Sequence, residues 1–194
     1  INWKEQVEQL APFFIPPHEA VGLGEMGLDF FHLPQDPVEA ASVIQRQEAA
    51  FEGQLELALQ LDCPVVIHSR NAVKECIAMI DESGVSWERV VFHCWTEGPE
   101  ACREILRRGG KVSFTGVVNF KNAETVRESV REVGWEGLMI ETDAPFLAPE
   151  PKRGKPNEPA YLVHTAQYLS EFLEVSYRQL VETTARNTQK FFNL

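Results

Sequence analysis

Five short apolar runs punctuate this sequence: Ala20 to Leu23, Pro64 to Ile67, Val90 to Phe92, Val112 to Phe114 and Leu138 to Ile140. Nearly every one is bounded by Gly, Pro or polar residues, which is the signature of buried strands. Longer segments of helical period lie between them. Asp36 and Pro37 read as N-cap and first helical residue, Glu39 completes a capping box, and Phe51, Leu55 and Leu59 repeat along the same helix. Val73, Ile77 and Ile80 give a helix stopped near Gly84, and another runs from Pro99 to Arg108 into Gly109. Val126, Val130 and Val133 mark a helix closed by Gly134. A Pro-rich loop from Ala148 to Pro159 then precedes two helices, the last capped by Ser176 and Gln179.

Strands that alternate with helices demand a parallel sheet, because parallel neighbours need a long connection, so the class is α/β. An open doubly wound sheet and a closed (β/α)8 TIM-type barrel compete. The first would carry a glycine-rich phosphate loop after its first strand. Gly22-Leu23-Gly24-Glu25-Met26-Gly27 lacks the third glycine of that fingerprint and puts Glu25 where backbone should approach a pyrophosphate.

At 194 residues one domain over 1–194 is the default. No apolar run approaches the roughly 20 residues of a membrane span, and no basic segment leads into an apolar one near the start. Cys63, Cys76, Cys94 and Cys102 form no C-x-x-C pair and lie in apolar stretches, which points to buried thiols in the cytoplasm. A net charge of −11 has the wrong sign for a protein that holds nucleic acid through a broad basic groove. An anionic substrate would need cations concentrated locally, by bound metal or by a loop such as Lys152, Arg153 and Lys155.

The chemistry stands directly after the apolar runs, where Glu25, His68, His93 and Asp143 each follow a different strand. A single His or Glu there is commonly a hydrogen-bonded rim residue, but the same position after four strands is hard to obtain by chance. In a barrel those ends meet on one rim, the usual place of catalytic groups. Imidazole and carboxylate bind zinc, manganese, magnesium or a similar divalent ion, and two His with one carboxylate leave a position open for water. His18 and His164 show no such placement, while His32 follows the first strand and is expected to be solvated. Cys94 reads as a small buried side chain, and Trp95 either stacks on a base or packs under a loop.

These segments resemble the TatD-type metal-dependent deoxyribonuclease family of the amidohydrolase-like barrel group. The resemblance rests on Gly24-Glu25-Met26-Gly27-Leu28-Asp29-Phe30, Pro64-Val65-Val66-Ile67-His68-Ser69-Arg70, His93-Cys94-Trp95 and Glu141-Thr142-Asp143-Ala144-Pro145-Phe146-Leu147. Arg153-Gly154-Lys155-Pro156-Asn157-Glu158-Pro159 and Asn187-Thr188 extend it. It implies a (β/α)8 barrel that hydrolyses DNA phosphodiester bonds, typically exonucleolytically, with two metal ions. Glu25 would bridge the two, His68 and His93 would bind one, and Asp143 would bind the other and hold the attacking water. Arg70 and Arg153 would face substrate phosphate.

The family opens with a strand carrying an H-x-H pair, and none of the five histidines here is two residues from another. The first three strands are therefore expected to be missing, as in a C-terminal portion of a larger protein or a shortened variant. Exposed edges would then be covered by a rearranged N-terminus, another copy or an absent segment, and one ion rather than two is expected. A barrel hydrolase of small amides or lactones, or a non-catalytic fragment completed by a partner, remain alternatives.

Overall fold

The computed structural model describes residues 2–194, which fall into two compact units, 2–91 and 92–194. Among the described residues there are five strands and seven α-helices, in the strand–helix alternation expected of the α/β class. Eight strands are not built from these residues. No helix among them is long and apolar enough to cross a membrane.

In the first unit, β1 (Leu23–Asp29) pairs in parallel with β2 (Val65–Arg70). Their register runs Leu23 to Val65, then Met26 to Ile67, Gly27 to His68 and Asp29 to Arg70, so β1 carries one extra residue between Leu23 and Met26. Such a bulge bends a strand and re-aims the side chain it contains, here that of Glu25. Ahead of β1, α1 (Trp3–Glu8) buries none of its residues. The crossover between the strands is α2 (Pro37–Leu61), whose N-terminus is capped by Asp36 accepting from the amides of Val38 and Glu39. Phe51, Leu55 and Ala58 form its buried stripe, whereas Leu59 is 52% exposed. Two steps of four residues rotate a position by about 80° around a helix, which carries Leu59 off the face that Phe51 starts. After β2, α3 (Val73–Ser83) buries Cys76 and Ile80 and ends at Gly84 with φ 80°. Leu28, Val65, Ile67, Phe51 and Leu55 make the core between strands and helices. Each such fully buried side chain contributes about 1.5–3 kcal/mol.

β3 (Val90–Phe92) contains the boundary between the units. In the second unit, α4 (Pro99–Arg108) buries Cys102 and Ile105 and leads into β4 (Lys111–Phe114). β4 pairs in parallel with β5 (Met139–Ile140) through Ser113 to Met139 and Phe114 to Ile140. Between them, α5 (Glu124–Gly137) loses helical geometry at Gly134, φ 65°, the position expected to close it, and then resumes for a few residues. The last two helices are α6 (Leu162–Phe172) and α7 (Tyr177–Phe192), and Ser176 with Gln179 forms the expected reciprocal capping box on α7. Asn187 of α7 donates to the carbonyls of Trp135 and Leu138, which fixes the entry into β5.

Candidate metal centre

Both site residues of the first unit lie inside strands, not just beyond them. The apolar runs end earlier than the hydrogen-bonded ladder, which resumes at Met26 past the bulge that holds Glu25 and runs through His68 to the Asp29–Arg70 pair. Gly27 makes this close pairing possible, because at φ 139° a Cβ would collide with the carbonyl oxygen of His68. Glu25 Oε1 lies 3.7 Å from His68 Nδ1. That is too long for a hydrogen bond and near the roughly 3.0–3.6 Å that separates two ligands bound at about 2.0–2.2 Å to one ion. The pair therefore fits a divalent ion as two of its donors.

The other ring nitrogen of His68, Nε2, lies 3.7 Å from Asp29 Oδ2. The same oxygen stands 3.3 Å from His32 Nδ1, and Asp29 Oδ1 accepts the Phe31 amide at 2.8 Å. Burial raises the pKa of Asp29, but the Phe31 amide, His32 and His68 outweigh it and hold the carboxyl below its usual value. Gln47 of α2 fixes the backbone of this residue, accepting from the Asp29 amide at 2.8 Å and donating to its carbonyl at 2.9 Å.

A parallel arrangement occurs in the second unit. His93 directly follows β3, and its Nδ1 lies 3.6 Å from Glu141 Oε2. Glu141 also accepts the Cys94 amide at 2.7 Å and the Ser113 hydroxyl. Burial raises the pKa of Glu141, yet the contacts to His93, Ser113 and Cys94 leave it lowered, so it stays a carboxylate. With Nδ1 turned to Glu141, Nε2 is the His93 nitrogen suited to a metal. A carboxylate on the far side of a ligating imidazole fixes its tautomer and raises its basicity.

Asp143 stands three residues past β5, in a turn closed by the Phe146 amide on its carbonyl at 2.7 Å. The buried Asn157 ties the following loop to that turn, bonding the carbonyls of Phe146 and Pro145. Arg153 packs over Phe120 at 3.6 Å and Arg70 over Phe31 at 3.8 Å. Cys94 is half-buried beside the Thr115 hydroxyl. Trp95 is 2% exposed and donates to Ser129, so it packs in the interior and offers no face to a base. His32 is exposed, as expected, but its contact with Asp29 attaches it to the site.

Asp29 and Glu141 are the residues that sequence reasoning left without a role. Both lie in the segments already singled out, and both are carboxylates within four residues of a candidate site residue or another histidine. The signal was present, but the facing direction of each was not.

A model of the TatD related DNase family matches residues 2–193. The chain is 35% identical over 178 residues to YabD of Bacillus subtilis (strain 168), named an uncharacterized metal-dependent hydrolase, covering 91% of this chain and 67% of that protein. It is 36% identical over 174 residues to the similarly named YcfH of Escherichia coli (strain K12), covering 90% and 63%. It is also 36% identical over 181 residues to a protein of Citrobacter rodentium named 3'-5' ssDNA/RNA exonuclease TatD, covering 91% and 66%. The chain thus spans about two thirds of the length of these relatives. In fold it is similar to the crystal structure of YJJV, a TatD homolog of Escherichia coli K12, with a TM-score of 0.82 at 24% identity over 99% of this chain and 69% of that one. A phosphotriesterase homology protein of Escherichia coli shares the fold at a TM-score of 0.68 and 17% identity. With a match from one end of the described residues almost to the other, the chain belongs to the TatD related DNase family, a family of metal-dependent hydrolases.

Proposed function

We propose that Glu25, His68 and His93, each of which offers one ligand atom, hold a divalent ion such as zinc, manganese or magnesium, and that Asp143 holds the attacking water. On this reading residues 1–194 are the C-terminal portion of one hydrolase barrel domain that cleaves DNA phosphodiester bonds exonucleolytically. The observation that carries it is the pairing of each histidine with a carboxylate, Asp29 behind His68 and Glu141 behind His93. A carboxylate that faces one ring nitrogen favours the tautomer whose other nitrogen offers its lone pair to a metal. The name of the Citrobacter rodentium relative supports a nucleic-acid substrate.

A bound divalent ion would supply Lewis acidity and lower the pKa of a coordinated water toward neutrality. The chain's own groups do the rest. Asp29 and Glu141 would keep the proton of each imidazole on the nitrogen that faces them and leave the other nitrogen's lone pair for the ion, Asp143 would accept a proton from the water, and Arg70 and Arg153 would face the substrate phosphate. The four cysteines form no disulfide with one another, which supports a cytoplasmic setting.

Metal analysis of the purified chain, paired with degradation of a single-stranded DNA oligonucleotide with and without chelator, tests the reading. About one ion per chain and chelator-sensitive degradation are expected. A metal-free chain after saturation with zinc or manganese, or degradation indifferent to chelator, would overturn it.

A further inference from the structure

The segment after β1 keeps a large aromatic ring in solvent. Phe31 is 55% exposed, although its amide is bonded to Asp29 and its ring is packed on one face by the Arg70 guanidinium at 3.8 Å. His32 meets the ring edge-on at 4.8 Å, and shares Asp29 Oδ2 with His68. An exposed phenylalanine has no claim on function by itself. This one differs in three respects: its backbone is anchored to the carboxylate that faces a candidate metal ligand, its ring carries a cation, and the ring remains open to solvent.

We infer that Phe31 and Arg70 form a base-stacking subsite that receives an unpaired nucleobase of a single-stranded nucleic acid next to the metal centre. The inference rests on the phosphodiesterase reading and deepens it. A flat π face accepts any base without reading its edges, and a guanidinium stacked on the same ring adds positive charge for the adjoining phosphate. In a chain of net charge −11, such a local pairing supplies what the overall field does not. A base inside a duplex cannot present its face in this way, so the subsite selects single strands by geometry. The sugar is not read by a ring and a guanidinium, so DNA and RNA strands are both accommodated.

Binding measured in chelator, without turnover, tests this separately from hydrolysis. Fluorescence anisotropy of labelled oligothymidylate, oligouridylate and an abasic deoxyribose-phosphate oligomer is compared for the parent, Phe31→Ala and Phe31→Trp. Phe31→Ala is expected to weaken both base-bearing strands about tenfold and the abasic strand little, while Phe31→Trp retains binding and its fluorescence is quenched by stacked bases. Parent-like binding of Phe31→Ala, equal loss on the abasic strand, or no binding of oligonucleotides by the parent would each overturn the inference. Failure of chelator-sensitive hydrolysis alone would instead count against the catalytic reading.

Discussion

Gln47 grips Asp29 from both sides of the residue, accepting its amide and donating to its carbonyl, so that a residue on α2 sets the position of the carboxylate behind His68. Two neutral hydrogen bonds to a half-buried strand residue make this a rigid support. Removing it leaves a donor and an acceptor to be satisfied elsewhere.

Asp29→Asn is therefore expected to lower metal affinity about 10- to 100-fold with little change in fold, because it withdraws the charge behind the imidazole proposed to ligate the ion. Gln47→Leu should cost about 1–3 kcal/mol of stability and weaken the metal less. Chelator competition and urea denaturation separate the two. Unchanged affinity in Asp29→Asn would remove the carboxylate from the metal centre.

Gly27 is the position where a single methyl group should disturb both strands. At φ 139°, with the His68 carbonyl oxygen occupying the space a Cβ would need, alanine must force β1 from β2. Gly27→Ala is expected to destabilise by about 2 kcal/mol or more and to reduce metal binding with it. Gly98→Ala, whose added methyl meets nothing within 4 Å, should cost less than about 1 kcal/mol. Equal urea midpoints for the two variants would refute the close-approach argument.

How much of this was legible beforehand depends on which interaction decides each feature. Apolar runs located β2 to β5 because burial drives both the pattern and the strand, whereas the run Ala20 to Leu23 lies just ahead of β1 and shares only Leu23 with it. They did not show that β1 and β2 continue through Glu25 and His68, since the ladder is held by backbone bonds that side-chain polarity does not report. The bulge at Glu25 depends on a register between two strands far apart in the sequence. Asp29 and Glu141 stood in plain view as carboxylates, but only the paired backbone decides whether such a side chain faces solvent or an imidazole. The short helix α1 buries nothing, so it left no periodic trace. Leu59 was misplaced by counting fours along a helix of 3.6 residues per turn.

The buried thiols give an alkaline signature. Burial pushes Cys76 up to about 11 and Cys102 up to about 12 from the ordinary 9.0, and raises Cys63 as well. Above pH 9 the unfolded chain loses these protons while the folded chain keeps them. Their contribution is thus whole below pH 9 and is lost as pH climbs toward 11 and 12, at a limiting slope of about 1.4 kcal/mol per pH unit for each thiol. Cys102→Ala is expected to flatten the fall of urea stability between about pH 9 and 11, whatever its effect near pH 7. An unchanged slope would show that the thiol ionises as readily folded as unfolded.

Glu141 joins three elements of the second unit: the residue after β5, Ser113 of β4 and the His93–Cys94 segment after β3. Glu141→Gln replaces an acceptor with a donor among groups that donate. It should cost about 1–3 kcal/mol and lower metal affinity, whereas Ser113→Ala, which removes one of the three contacts, should cost about 1 kcal/mol. Thermal unfolding in the absence of metal isolates the structural part. A stability effect without any change in metal affinity would confine Glu141 to packing.

Asp143 should separate catalysis from metal binding. It is the proposed water-holding carboxylate and lies outside the set of Glu25, His68 and His93. Asp143→Asn is therefore expected to keep the ion while losing about 10² to 10⁴ in hydrolysis rate, the usual worth of a general base. His68→Ala removes a proposed ligand that also faces Glu25, so it should lose ion and activity together. Metal content is measured by atomic absorption on each variant, and hydrolysis of single-stranded DNA is followed at matched occupancy. If the parent chain turns over too slowly to measure, both substitutions are made in a longer form with the preceding strands of the family fold. Parent-like hydrolysis by Asp143→Asn at equal metal content would take Asp143 out of the reaction, because no other change in that variant alters the metal, the histidines or the carboxylates behind them.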